Sequence, residues 1–121
     1  MVATLNWFEI PATNLERAKS FYAAVLDIQI HDDPNRQYAY LPSNPEAEGF
    51  GGAIGCGENF VPSNTGTTIY LDGGSDLSKP LSKVEAAGGK IILPKTAIGN
   101  NGYIALFIDS EGNKIGFHSM K

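Results

Sequence analysis

The sequence predicts an α+β fold built from two tandem copies of one unit, strand–helix–strand–strand–strand. Three observations carry this. Each half passes from apolar alternation to helical spacing and back to alternation. Trp7 and Thr68 hold matching places in the two opening strands, 61 positions apart in a chain of 121 residues, and self-similarity at half the chain length marks an internal repeat. A stretch rich in turn formers, "GENFVPSNTG", separates the halves. The predicted organisation is one domain, 1–121, with module 1–57, linker 58–65 and module 66–121.

In the first module, "TLNWFEI" alternates, so a strand is predicted at about 3–10, with Phe8 and Ile10 on one face and Leu5, Trp7 and Glu9 on the other. Thr13-Asn14-Leu15-Glu16 has the spacing of a capping box. Ala18, Phe21, Tyr22 and Val25 then recur at helical spacing, and the helix is predicted to end near Leu26. Three short strands follow, "IQIHD", "QYAYLP" and "FGGAIGC", separated by "DDPN" and "PSNPEAEG".

The second module opens on "TTIYLD", β-branched and aromatic. A helix is predicted next, capped by Asp76 or Ser78, because Pro80 is tolerated only in a first turn. Gly88-Gly89 is predicted to stop it with a left-handed cap. Strands "KIIL", "YIALFID" and "KIGFHSM" complete the unit.

Composition narrows the partners. Net charge is -4 and the nine basic residues are scattered, which argues against nucleic acid, a partner that needs a basic stripe. It favours neutral or cationic small ligands. No apolar run approaches the ~20 residues of a membrane span, and "MVATLNWFEIP" lacks the pattern of a secretion signal. The single Cys56 cannot form an internal disulfide, so a reducing cytoplasm is expected, with the thiol buried and inert.

The opening strand, "NLERAKSFYAAVLDI", "KVEAAGGKII" and "YIALFIDSEGNKIGFHS" together resemble the vicinal oxygen chelate superfamily, which includes glyoxalase I, extradiol dioxygenases and the fosfomycin- and bleomycin-resistance proteins. Ser110 replaces a proline common in that last turn. The resemblance implies two βαβββ modules whose mixed sheets curl around a cleft. In metal-using members, four strand residues there hold a divalent ion that polarises substrate oxygens. Those positions fall on Trp7, on or near Ala53 within Gly51–Gly55, on Thr68 and on Gly116. None is a competent ligand, so no metal and no other cofactor is expected.

The same parity brings Glu9, Tyr70, Asp72 and His118 to the cleft side. The candidate ligand-binding set is therefore Trp7, Glu9, Thr68, Tyr70, Asp72, Gly116 and His118. Glu9 and His118 are the acid–base candidates. A more ordinary account stands beside each: Trp7 as a plug, Glu9 in a salt bridge, His118 as a structural histidine, Asp72 as a turn cap. An off-pattern metal site from Glu9, His118, Asp72 and His31 is the remaining metal possibility, with no spacing to enforce it. The expected function is binding of a small aromatic or cationic molecule. The alternative is a lyase or isomerase acting on a small carbonyl compound with Glu9 as base. A homodimer is expected from the resemblance, since module edges need cover.

Overall fold

A computed structural model describes residues 1–43 and 49–121. The first module comprises β1 (Phe8–Ala12), α1 (Leu15–Leu26), β2 (His31–Asp32), β3 (Tyr38–Pro42) and β4 (Phe50–Cys56). The second comprises β5 (Tyr70–Asp72), α2 (Ser78–Leu81), β6 (Lys90–Ala97), a 3-10 turn at Gly99–Asn101, β7 (Tyr103–Ile108) and β8 (Lys114–Ser119). Each forms a four-stranded mixed sheet, in the orders β1-β4-β3-β2 and β5-β8-β7-β6. The two orders are the same topology, so the repeat seen in sequence is a repeat of architecture. In each, the opening strand runs parallel to the last, and the other pairs are antiparallel.

Several boundaries differ from the sequence expectation. β1 starts at Phe8, not near residue 3, because its parallel partner becomes available only at Gly52. Trp7 thus precedes the strand, and Thr68 precedes β5 in the same way. Of "IQIHD" only His31 and Asp32 pair with β3. β6 runs on to Ala97 through two register shifts against β7. The second helix shortens to four residues, and the bonds from Lys83 to Pro80 and from Val84 to Leu81 tighten the chain into turns. Gly88, at φ 109°, supplies the left-handed stop. Cys56 is half-buried, not buried.

The capping box is also replaced. The Asn14 side chain caps α1 by accepting from the Arg17 N–H at 3.0 Å. Glu16 instead pairs with Lys19. The Thr13 N–H and hydroxyl both bond Glu111, from the turn before β8. Asp27, at φ 54°, closes the helix in the left-handed region.

One core joins the modules. Ile10, Leu41 and Ile54 from the first sheet meet Ala105, Phe107, Ile115 and Phe117 from the second, with Phe21, Tyr22 and Val25 of α1 and Leu77, Leu81 and Val84 around α2. The Phe21 and Phe107 ring centroids are 6.0 Å apart. Polar bonds pin the same junction. The buried Tyr22 hydroxyl donates to Asp109 at 2.5 Å, and Asn113 Nδ2 donates to the Pro11 carbonyl at 2.7 Å. Because strand residues alternate, filling the inner faces this way turns the opposite faces of both sheets outward.

Candidate functional site

The predicted site residues lie on those outward faces, in two groups. On the first sheet, Trp7 and Glu9 share a face, as their parity requires. They meet at Tyr38, which the sequence reading did not single out. Trp7 Nε1 donates to the Tyr38 hydroxyl at 3.1 Å, and that hydroxyl donates to Glu9 Oε2 at 2.6 Å. Glu9 is therefore held by a phenol, and among the described residues it joins no salt bridge.

Around this chain of bonds the face is aromatic. Trp7 meets Tyr40 edge-on, with centroids 6.3 Å apart, and Tyr40 stacks on Phe50 at 5.1 Å. His31 is exposed, and its ring lies against Phe50. Tyr38 is buried under Tyr40 and Phe60. Trp7 and Phe50 stay 38% and 40% exposed, which leaves surface for a ligand. The backbone permits this layer because Gly55 lies beneath Phe60: a Cβ there would overlap the Phe60 ring.

Charge around Tyr38 is asymmetric. The Arg36 guanidinium lies 3.7 Å from the Tyr38 ring centroid, and Asp33 answers its charge at 3.7 Å. The Tyr40 hydroxyl donates to Asp33, and this bond leads the causes that hold the Asp33 carboxyl below its usual range. Glu9, Asp33 and Arg36 together carry one net negative charge. Burial, followed by the hydrogen bond to Glu9, raises the Tyr38 phenol above its ordinary value, so it is a proton donor at neutral pH.

The second group lies on the other sheet. Tyr70, 44% exposed, pairs with Gly116 across the parallel ladder, and a Cβ at 116 would overlap its ring. Asp72 pairs with His118. Asp72 also accepts from the Gly74 N–H at 2.8 Å, so the turn-cap account of this residue holds. His118 Nε2 is 2.6 Å from the Asn101 carbonyl, which orients the ring. Thr68 is half-buried at the entrance to β5. Within one chain the two groups face away from their shared core and do not meet. Among the described residues, a hollow of about 460 Å³ is bordered by Asp33, Arg36 and Tyr38 and one of about 520 Å³ by Asp72, but neither is lined by Trp7, Glu9, Tyr70 or His118.

The four positions that the resemblance assigns to a metal do not fit one. Tryptophan, alanine and glycine side chains bring no ligating atom, and at Gly116 the Tyr70 ring occupies the space a ligand side chain would need. Among the described residues, no three His, Cys, Asp or Glu side chains converge, so Glu9, His118, Asp72 and His31 do not assemble the off-pattern site within a chain. No helix among the described residues is long and apolar enough to cross a membrane.

Solved structures share this fold. A structure of a superfamily member from Sphaerobacter thermophilus DSM 20745 aligns with TM-score 0.69 and 20% identity, over 98% of each chain. A glyoxalase/bleomycin resistance protein from Albidiferax ferrireducens T118 aligns with TM-score 0.63 and 21% identity, over 94% of this chain and 96% of that one. TnmS3, an antibiotic binding protein from Streptomyces sp. CB03234, aligns with TM-score 0.61 and 17% identity, over 98% and 96%. No curated protein sequence matches the chain. The sequence model of one family spans residues 4–117, and with the paired four-stranded sheets it shows that the chain belongs to the glyoxalase/bleomycin resistance protein/dioxygenase superfamily.

Proposed function

We propose that this chain is a metal-free small-molecule-binding protein, which takes a flat aromatic or cationic molecule against Trp7 and Glu9. One observation carries the reading: an exposed indole and a carboxylate are locked side by side by one buried phenol, within an aromatic face. Aromatic faces attract cations and stack on flat rings. A fold neighbour described as an antibiotic binding protein supports small-molecule binding as a use of this architecture.

The ligand site is completed by a second copy. The Tyr70–Gly116–His118 face of one chain would close over the Trp7–Glu9 face of its partner, and both outward faces carry the exposed apolar rings that association buries. The protein would work in the cytoplasm, where the single thiol stays reduced.

The test uses Trp7, the single tryptophan, as reporter. Planar aromatic and cationic compounds should shift its fluorescence and raise the melting temperature. Silence in both signals across such a set overturns the reading.

A second reading, a lyase or isomerase with Glu9 as base, is favoured by one detail. Glu9 is exposed, and its Oε1 carries no hydrogen bond among the described residues, so it is open to a substrate proton. Turnover of small carbonyl compounds that disappears in Glu9→Gln supports it; unchanged turnover removes Glu9 from the mechanism.

A further inference from the structure

The Tyr38 hydroxyl has one proton and two neighbours. The indole N–H can only donate, so the hydroxyl accepts there and must give its proton to Glu9. This direction of donation leaves Glu9 an acceptor, with Oε2 engaged and Oε1 open. The bond is 2.6 Å long, as expected for a hydroxyl on an ionised carboxylate. Tyr38 itself is 3% exposed and wedged among Tyr40, Phe60 and Arg36, so it holds its place whether or not a ligand is present.

An incoming molecule therefore meets a ring edge and face from Trp7 and Tyr40 and a fixed lone pair from Glu9. The cation beside Tyr38, Arg36, is already answered by Asp33 and by the Tyr38 ring. An anion would face the Glu9 charge. A quaternary ammonium would gain the ring contacts and charge attraction but has no hydrogen to give Oε1.

We propose that Tyr38 is a specificity-determining residue: by orienting Glu9 as an acceptor beside Trp7, it makes this face select an aromatic cation carrying N–H donors over the matching quaternary ammonium, while the Glu9 charge itself turns away the carboxylate. This rests on the small-molecule reading above and narrows its ligand class.

The experiment titrates the intact protein at pH 7 with three probes sharing one ring: benzylammonium, benzyltrimethylammonium and benzoate. Trp7 fluorescence is the readout. Benzylammonium is expected to bind about tenfold more tightly than either analogue, as one hydrogen bond to a charged group allows. In Tyr38→Phe the preference over benzyltrimethylammonium should shrink to about twofold, since the ring remains and only the orienting proton is lost, while discrimination against benzoate, set by the Glu9 charge, should persist. Glu9→Gln, which leaves the buried phenol in place, should lose the preference as well; it keeps the test open if Tyr38→Phe does not fold. Equal affinity for benzylammonium and benzyltrimethylammonium in the wild type, or an undiminished preference in a folded Tyr38→Phe, overturns the proposal while leaving a binding face; if Tyr38→Phe does not fold, a preference that survives Glu9→Gln overturns it. No response to any ring compound overturns the binding reading and this inference together.

Discussion

The Glu111 carboxylate lies 2.9 Å from the backbone nitrogen of Thr13, 98 positions earlier in the chain. The same oxygen accepts from the Asn14 N–H at 2.9 Å, and its twin accepts from Arg17 Nε at 2.7 Å. The turn before the last strand of one module thus caps the first helix of the other. The Glu111 side chain is enclosed, while the groups that it holds, on Thr13, Asn14 and Arg17, are exposed and can turn to water when it is removed. Glu111→Ala is expected to cost about 1 kcal/mol, as several hydrogen bonds to a charged group are exchanged for water. Urea denaturation checks this; a cost near zero would mean that the clasp is incidental.

Acid should weaken the fold through the same clasp. Enclosure alone would raise the Glu111 carboxyl, but Arg17 and the Asn14 N–H, with Ser110 and Thr13, outweigh it and bring it to about 2, from an ordinary 4.5. A carboxyl lowered in the folded state stabilises the fold above its unfolded value and loses that contribution as pH falls toward the folded one. Asp76, held at about 2 by the Ser78 N–H and then Lys95, acts with the same sign at an exposed site. Stability should therefore decline from about pH 4.5 downward to 2, and Glu111→Gln should flatten this decline more than Asp76→Asn does. Urea midpoints across that range are the measurement.

At the alkaline end the signal is Tyr22. Burial first, and then Asp109, push its phenol well above the ordinary value of 10.0. A raised pKa stabilises the fold below the unfolded value and is lost as pH climbs past it. Of the five tyrosines, Tyr22 should stay protonated until the chain unfolds, seen as an ultraviolet phenolate step that coincides with loss of structure. Tyr22→Phe should shrink that step, leaving the smaller contribution of the buried Tyr38, and cost about 1 kcal/mol.

Gly116 should tolerate no side chain while Tyr70 is present. Gly116→Ala is expected to destabilise by about 1 kcal/mol through overpacking, and less in a Tyr70→Ala background, because the ring that a Cβ would overlap is gone. Additive effects in the double mutant would show that the two residues do not couple.

Association can be read directly from mass. Sedimentation should give about twice the 12.9 kDa of one chain, and Tyr70→Glu should shift the population toward monomer by placing a charge on the proposed interface. A wild type that remains monomeric at concentrations of tens of micromolar would remove the second copy from the site.

Much of the fold was legible because strand parity is local. The sharing of a face by Trp7 and Glu9, and by Tyr70, Asp72 and His118, follows from alternation alone. The start of α1 was legible only in part, because Thr13 and Glu16 satisfy a local pattern, whereas the neighbouring Asn14 is the cap and Thr13 is held by Glu111 from the other module. Tyr38 and Tyr40 were missed for a different reason. The positions weighed came from the first and last strands of each module, whereas β3 is an inner strand. Their signal was present in "QYAYLP": two tyrosines two apart, alternating with Ala39 and Leu41, which are buried. The separation of the two outward faces was invisible, since it depends on how α1 packs between the sheets.

The ring of Tyr70 lying across Gly116 also orders the history open to this lineage. A chelating residue arriving first at 116 would meet an occupied space and be selected against for its effect on folding, whatever ion it could hold. Tyr70 has to shrink before a ligand side chain at 116 fits, and that pair of changes supplies only one of the several ligands that an ion needs.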